Sequence, residues 1–498
     1  MPFIMSVLTN SRLTIIRTEF LNDIVRMLWP RINVAGSQIV MDTVNPMFKT
    51  MLPSMLQSLH FTKVNLGDVP LKISRVLATK TATDGIKLDM NVDWDGACDI
   101  ELDGTGIPAL GVKSVKLNGR LSVLLCPLTN VIPLIGAAQI AFVNPPILKL
   151  DFTGAANVAD FSAIDGSVRK VILSIINSML TLPNRLLIKL DTNNDYFATF
   201  LEPVGVIRIT VDKAYGFAEE AKGKVKHLFS KVTRAAPDCY TKVEVGAEPE
   251  WKTSTKSNTT NPTWGETKDF VVSDFDQVIK LDVEDADVGG DDEVGLGVTT
   301  VEEILRAGGS KELALVRKGE ETEGRVGMSA QFFKFEADAS SFSSTSAGQI
   351  CGLATILVAG AFDIKGDRKA LHPSVKVTFG EKHKFQTGVM SDAPGTDISN
   401  PSFDSNFRVP LTSDIMGGSF RIALFDGEKE VGGVDVPFAD VQKTEGMQVA
   451  QKFDMGGGTS VRAAIRLKGL RPAAIEEMKL PERPRGGPQG QAGAGAQA

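Results

Sequence analysis

The stretch Gly85-Ile86-Lys87-Leu88-Asp89-Met90-Asn91-Val92-Asp93-Trp94-Asp95 alternates apolar and polar residues with a period of two. That period belongs to a β-strand with one apolar face, because successive side chains leave a pleated backbone on opposite sides. The pattern recurs outward. Val115, Leu117, Leu121, Val123 and Leu125 alternate with Lys116, Asn118, Arg120 and Ser122. Ile140 with Phe142, and Leu148 with Leu150 and Phe152, extend it. Several such runs predict an antiparallel sheet apolar on one side. Helical spacing predicts a helix over Glu19 to Trp29 stopped by Pro30, and another over Gln38 to Leu59 broken at Pro46 and Pro53. A long amphipathic helix is expected over Val168 to Leu180. The apolar rows have two readings, a packed sheet-on-helix core or an apolar-lined tunnel, and periodicity does not choose between them.

The chain has 498 residues, enough for about three domains. Hydrophobic residues make up 43% and charged residues 23%, so ordinary cores can form and a wholly disordered or multi-span membrane protein is excluded. A net charge of -6 argues against a dedicated nucleic-acid binder. Cys98, Cys126, Cys239 and Cys351 show no metal-ligand or redox spacing, which fits a reducing, cytosolic face. Met1 to Ser11 is apolar but too short to span a bilayer and lacks a cleavage site. Leu121 to Leu148 carries no charge, yet Pro127, Pro133, Pro145 and Pro146 make it strands and turns rather than a membrane helix.

Composition divides the chain into an N-terminal segment (1–17), a first apolar block (18–200), a charge-rich block (203–336), a Ser/Ala linker (337–348), a second β-rich block (349–470) and a Pro/Gly/Gln/Ala tail (471–498) expected to be disordered.

In the first block, Glu19-Phe20-Leu21-Asn22 leads to Leu28-Trp29-Pro30, followed by Leu66-Gly67 with Pro70, Asp93-Trp94, Cys126-Pro127-Leu128, Pro145-Pro146 and Leu182-Pro183-Asn184-Arg185. This ordered set resembles the SMP (synaptotagmin-like, mitochondrial, lipid-binding) domain of extended synaptotagmins, plant synaptotagmins and tricalbins. The resemblance implies an α+β tubular lipid-binding fold, a bound glycerolipid and a head-to-head homodimer. On that reading the lipid lies against Ile86, Leu88, Met90, Val92, Trp94, Leu117, Leu121, Val123, Leu125, Ile140, Phe142, Leu150 and Phe152.

In the charge-rich block, Pro237-Asp238-Cys239-Tyr240-Thr241-Lys242-Val243, Asn261-Pro262-Thr263-Trp264 and Leu281-Asp282-Val283-Glu284-Asp285-Ala286-Asp287 leading to Asp292 resemble a C2 domain, an antiparallel β-sandwich with binding loops at one end. Its calcium ligands would be Asp238, Asp285, Asp287 and Asp292. Clustered carboxylates repel unless a cation joins them, and oxygen donors suit Ca²⁺; the alternative is a solvated acidic turn. An EF-hand is excluded, because Gly289 and Leu296 stand at its fifth and twelfth positions. The first loop departs from the family, leaving Glu219 or Glu220 as the substitute ligand. Its insertion, Ala218 to Ala236, is basic, with Lys222, Lys224, Lys226, Lys231 and Arg234 around Leu228-Phe229. It reads equally as a membrane-docking element and as a solvated helix.

In the last block, Leu371-His372-Pro373-Ser374, Asn400-Pro401-Ser402-Phe403 and Phe425-Asp426-Gly427 give a degenerate C2 resemblance, with His372 in place of Asp. Weak or no calcium binding is expected there. His60, His227, His372 and His383 are scattered, and no phosphate loop or nucleophile elbow occurs, so no enzyme is expected. The resemblance implies lipid transfer and tethering, with calcium-dependent docking to an anionic leaflet on the cytosolic face of endoplasmic reticulum–plasma membrane contact sites. The alternative is a calcium-dependent trafficking adaptor that tethers without moving lipid. Relatives carry an N-terminal membrane hairpin or helix, so an anchor is expected from a longer start or from a partner.

Overall fold

Alternating strands in the first block leave a pleated apolar face that needs helices to cover it. The computed structural model describes residues 14–15, 18–81, 84–153, 161–191, 195–217, 236–287, 291–342, 348–393, 396–474 and 477–478. The two central strands are longer than the alternation alone suggests, Ile86–Gly104 and Ile107–Leu125, and they pair antiparallel along most of their length. His60–Asn65 and Lys72–Lys80 flank the first of them; Ala137–Phe142 and Ile147–Thr153 flank the second. Helix Phe161–Leu180 packs Val168, Val171 and Ile175 into the core.

The first helix corrects an expectation. It does not stop at Pro30 but runs over Glu19–Ile39, then through a wide turn at Val40–Val44 into Asn45–Met51. Pro30 is exposed, as is Arg26 four residues before it, so the carbonyl it cannot serve is not confined to a dry core. Neighbouring Trp29 is buried, donates its indole N–H to the Gly67 carbonyl at 2.9 Å and packs at a tilt of 60° against Trp94 with ring centroids 5.6 Å apart. That anchorage outweighs the lost helical hydrogen bond. Pro46 is the second residue of Asn45–Met51, directly after the wide turn, so the chain passes it without leaving helical geometry.

The second and third blocks are antiparallel β-sandwiches. In the second, Gly205–Tyr215 pairs with Thr263–Val272 and Glu320–Glu336, while Val278–Asp285 lies between Cys239–Val245 and Asp292–Thr300. In the third, Gly352–Phe362 lies between Ser402–Leu411 and Thr459–Pro472, and Pro373–Phe379 lies between His383–Gln386 and Ser419–Asp426. The sandwiches share backbone: Phe333 to Glu336 pair with Gly469 to Pro472, fusing their sheets.

A charged clamp docks the first block on the second. Lys87 Nζ lies 2.5 Å from Asp274 and 3.2 Å from Asp89; Arg120 lies 2.5 Å from Asp276. Asn144 donates to the Asp276 carbonyl and accepts from the Val278 amide. Burial alone would lower the Lys87 amine, but Asp274 and Asp89 hold it above its ordinary value. Burial alone would raise Asp274, yet Lys87 holds it below the usual carboxylate range. The third block is docked by Lys189–Asp404 at 2.6 Å and by Tyr196 and Phe197 packed on Leu357 and Ala464.

Asp274→Ala leaves Lys87 short of its main partner, a loss of about 3–5 kcal/mol for a broken buried pair. The variant should keep its circular dichroism but show a larger radius of gyration by X-ray scattering. Because Asp274 is held below its unfolded pKa, its contribution is full above about pH 4 and is lost as pH falls further. Wild-type protein brought below that pH should expand in the same way. Unchanged scattering in both cases contradicts the clamp.

Candidate lipid groove and membrane-facing loops

Register places every expected lining residue on one face of one sheet. Ile86 faces Leu125, Leu88 faces Val123, Met90 faces Leu121 and Trp94 faces Leu117. Leu121 and Val123 continue to Phe142 and Ile140, while Leu150 and Phe152 pair with Val115 and Val112. Met90, Val92, Trp94 and Phe142 are buried. Ile86, Leu88, Leu117, Leu121, Val123, Leu125, Ile140, Leu150 and Phe152 are only half-buried.

At the Ile86–Leu125 end, the two faces behave in opposite ways. The outer face there, with Asp89, Ser122, Leu124 and Ala141, is buried. Residues 195–203 help to cover it: Gln139 donates to the Thr199 carbonyl, and Cys126 donates to the Ala198 carbonyl. The apolar inner row, which a packed core would dry completely, keeps access to solvent. Each exposed square ångström of such surface costs roughly 25 cal/mol relative to burial. Leu88, Leu121 and Val123 pack on the cluster of Ile73, Val76, Met90 and Val92 yet keep some exposure, as one wall of an open groove would.

A second cleft, missed in the sequence, lies between helix Glu19–Ile39 and strand His60–Asn65. It encloses about 360 Å³ over Val34, Met41 and Val64, with Asn33, Ser37, Gln38 and Asn65 supplying amides and a hydroxyl. Scattered amides on a helix carry no periodic signal, so only the fold assembles them.

The acidic residues of the second block gather at the end of the sandwich away from Asp274. Strand Val278–Asp285 begins beside the clamp and ends at Asp285, roughly 25 Å on at ~3.3 Å per residue. Asp285 pairs across the strands with Asp292, and its Oδ1 accepts the Asp238 amide at 2.7 Å. Asp238 Oδ1 accepts the Asn258 amide at 2.7 Å. Among the described residues no group of three or more acidic, His or Cys side chains is close enough to hold a metal ion. The donors therefore suit Ca²⁺ in type, while their number falls short of the six to eight oxygens it takes. Asp287 is exposed at the loop's edge. Glu219, Glu220, Lys222, Lys224, Lys226, Leu228, Phe229, Lys231 and Arg234 lie outside the described residues.

Two loop neighbours were not anticipated. The Tyr240 hydroxyl lies 2.6 Å from both Glu284 and Asp291, beneath the loop. Burial and the adjacent Glu284 push the Asp282 carboxyl up to about 7. Burial alone would raise Glu284, but the Lys242 ion pair and the Tyr240 hydroxyl hold it down.

The third block keeps the same scaffold without the same donors. The His372 amide donates to Asp426 Oδ1 at 2.7 Å, as Asp238 does to Asp285, and Gly427 donates to the His372 carbonyl as Ala286 does to Asp238. An imidazole thus stands where the second block has a carboxylate. Leu121 to Leu148 forms strands and turns, and among the described residues no helix is long and apolar enough to cross a membrane.

The profile of the synaptotagmin-like mitochondrial-lipid-binding domain matches residues 14–191, and that of the C2 domain matches 205–313 and 353–454. Extended synaptotagmin-1 of Mus musculus is 33% identical over 297 residues, covering 59% of this chain and 27% of its own length. Extended synaptotagmin-2 of Homo sapiens is 25% identical over 479 residues, covering 91% of this chain and 50% of its own length. The chain thus spans about a quarter to a half of these curated relatives. The solved structure of the SMP domain and the two C2 domains that follow it in extended synaptotagmin 2 superposes with a TM-score of 0.61 at 24% identity, over 92% of this chain and 99% of that one, a likeness of fold. Two domain types in one order, and relatives that share them, make this chain extended-synaptotagmin-like: an SMP lipid-binding domain followed by two C2 domains.

Proposed function

We propose that the chain carries glycerolipid in its SMP domain between membranes that its C2 domains hold together. The observation that carries this reading is the half-wet apolar row from Ile86 to Phe152. An acyl chain gains about 0.8 kcal/mol for each CH₂ it buries, so a lipid leaving a bilayer needs such a lining to cross water. The groove binds and orients; no covalent chemistry is assigned to it.

The C2 domains supply the docking. Asp238, Asp285, Asp287 and Asp292 of the first C2 domain would hold Ca²⁺, with Glu220 or its neighbour completing the set. The ion's charge would draw this loop to an anionic leaflet, helped by Lys222, Lys224, Lys226 and Lys231 around Leu228 and Phe229. The second C2 domain, with His372 at the strand entry, would dock with little or no calcium. Exposed Phe20, Met27, Leu28 and Val34 on the first helix support a homodimer through the SMP domain. The setting is the cytosolic face of endoplasmic reticulum–plasma membrane contact sites.

Fluorescent phospholipid exchange between donor and acceptor liposomes tests the groove. Leu88→Glu with Val123→Glu places carboxylates in the acyl path and should cut exchange tenfold or more, with vesicle clustering intact. Exchange that persists in the double variant contradicts the groove; wild-type clustering without any exchange makes the protein an adaptor.

Asp285→Asn with Asp292→Asn should shift the calcium needed for half-maximal binding to phosphatidylserine liposomes upward by at least about tenfold, through loss of two anionic oxygens. Chelation should release the wild type to the same residual level. Calcium-independent binding of the wild type would remove this site from the account.

A further inference from the structure

At the Ile86–Leu125 end of the SMP domain, strand Ile107–Leu125 turns back into Ala137–Phe142 through a loop with an apolar tip. Val131, Ile132 and Leu134 are 69%, 87% and 54% exposed. Residues 121–148, which include the whole loop, hold no charge. Single exposed aliphatic residues are ordinary on a protein surface, but three on one uncharged loop make a patch.

The loop is held in shape by its own backbone. The Thr129 amide donates to the Leu134 carbonyl at 2.8 Å, the Leu134 amide to the Val131 carbonyl at 2.7 Å and the Gly136 amide to the Pro127 carbonyl at 2.9 Å. The Thr129 hydroxyl donates to the Val131 carbonyl at 2.9 Å, and Pro133 has no N–H to satisfy. A loop that pairs its polar groups internally loses least on leaving water. Leu134 has a φ of 72°, a left-handed backbone that glycine or asparagine adopts with less strain. An exposed leucine there serves neither the turn nor the core.

The loop also stands where the groove ends. Directly opposed residues share a face of a sheet, so register carries the inner row onto the edge strand Leu186–Lys189. Leu186 faces Ile140, which faces Val123; Ile188 faces Ala138, which faces Leu125. Leu186 and Ile188 are exposed, and so is Leu190, whose amide donates to the Gly136 carbonyl at the foot of the loop. An apolar path therefore runs from the groove lining to the tip.

A bilayer fits this patch better than a second protein. Three aliphatic side chains offer far less than the ~800 Å² that each partner gives to a stable protein interface. The face available to a second copy, with Phe20 and Met27, lies on the helix whose Asn22 bonds to Ile73 of strand Lys72–Lys80. In the sheet that strand and Leu186–Lys189 stand on opposite sides of the central pair. On the edge strand, Lys189 pairs with Asp404 at 2.6 Å, shortly after Asn400, which accepts the Asp363 amide. The binding-loop end of the second C2 domain thus lies beside the same edge.

We infer that loop 129–135 dips Val131, Ile132 and Leu134 into a bilayer surface and sets the open end of the groove against it, as the port through which lipid passes. This rests on the groove reading above. Because the loop carries no charge, its contact needs neither calcium nor anionic lipid, unlike that of the first C2 domain.

Two measurements on the full chain test it. Ile132→Cys is made together with Cys98→Ser, the other cysteines being buried, and carries an environment-sensitive nitrobenzoxadiazole label. With phosphatidylcholine vesicles and a calcium chelator, its emission should shift to the blue and fall at least twofold when the vesicles contain doxyl-labelled phospholipid. Separately, Val131→Asn, Ile132→Asn and Leu134→Asn in one chain should slow phospholipid exchange tenfold or more between phosphatidylserine-containing vesicles docked with calcium. Vesicle clustering and the phospholipid retained per chain, read by native mass spectrometry, should stay at the wild-type level. The three side chains are exposed and asparagine tolerates the backbone of Leu134, so this variant keeps its fold. A label that stays in water, or exchange unchanged in the triple variant, overturns the inference. A blue shift that needs no vesicles and grows with protein concentration assigns the loop to a second copy and also overturns it. Wild-type protein that retains no lipid contradicts the groove instead, and the label alone then decides the loop.

Discussion

An apolar sheet face must be kept from water by something, and in the SMP domain the chain covers only part of it. Helices Glu19–Ile39 and Phe161–Leu180 dry the region around Trp29, Trp94 and Val112. Past Leu117 the same face runs on through Leu121, Val123 and Leu125 with solvent still at its side chains. The outer face at that end is closed instead, by the connection to the C2 domains. Rigidity at that end is thus supplied largely from outside the sheet, while inside Leu88, Leu121 and Val123 pack on Ile73, Val76, Met90 and Val92 and still keep some exposure. A sheet built to hold itself together from within would have no space for a ligand.

The same arrangement sets the geometry of docking. The clamp fixes the first C2 domain by its Asp274–Asp276 turn, so the acidic loop at the opposite end of strand Val278–Asp285 faces away from the groove domain. Pairing of Phe333–Glu336 with Gly469–Pro472 then fixes the second C2 domain to the first. Ion pairs between buried groups stabilise little relative to apolar packing, but breaking one is costly. That asymmetry suits a joint whose task is orientation.

Legibility in the sequence followed the strength of local periodicity. The alternation from Ile86 to Trp94 fixed both the strand and the face its residues share, and Asn261-Pro262-Thr263-Trp264 marked a turn whose Trp264 is buried and bonded to the Ser254 carbonyl. Pro30 misled because a proline breaks a helix only where the chain has no stronger reason to continue; the Trp29 anchor, set by Gly67 far along the chain, supplied one. The choice between core and groove was not legible, since it depends on how deeply helices settle on the sheet and not on which residues alternate. The charged clamp was invisible for a related reason: Lys87 and Asp89 sit on the polar side of a strand and read as solvated until another domain covers them.

Native mass spectrometry of the full chain, purified without detergent, tests the central claim most directly. A groove lined by half-wet aliphatic side chains should retain cellular lipid, giving a species heavier by a phospholipid mass that organic extraction removes. A single lipid-free species with an intact fold would show that the apolar row tolerates water, and would contradict the groove.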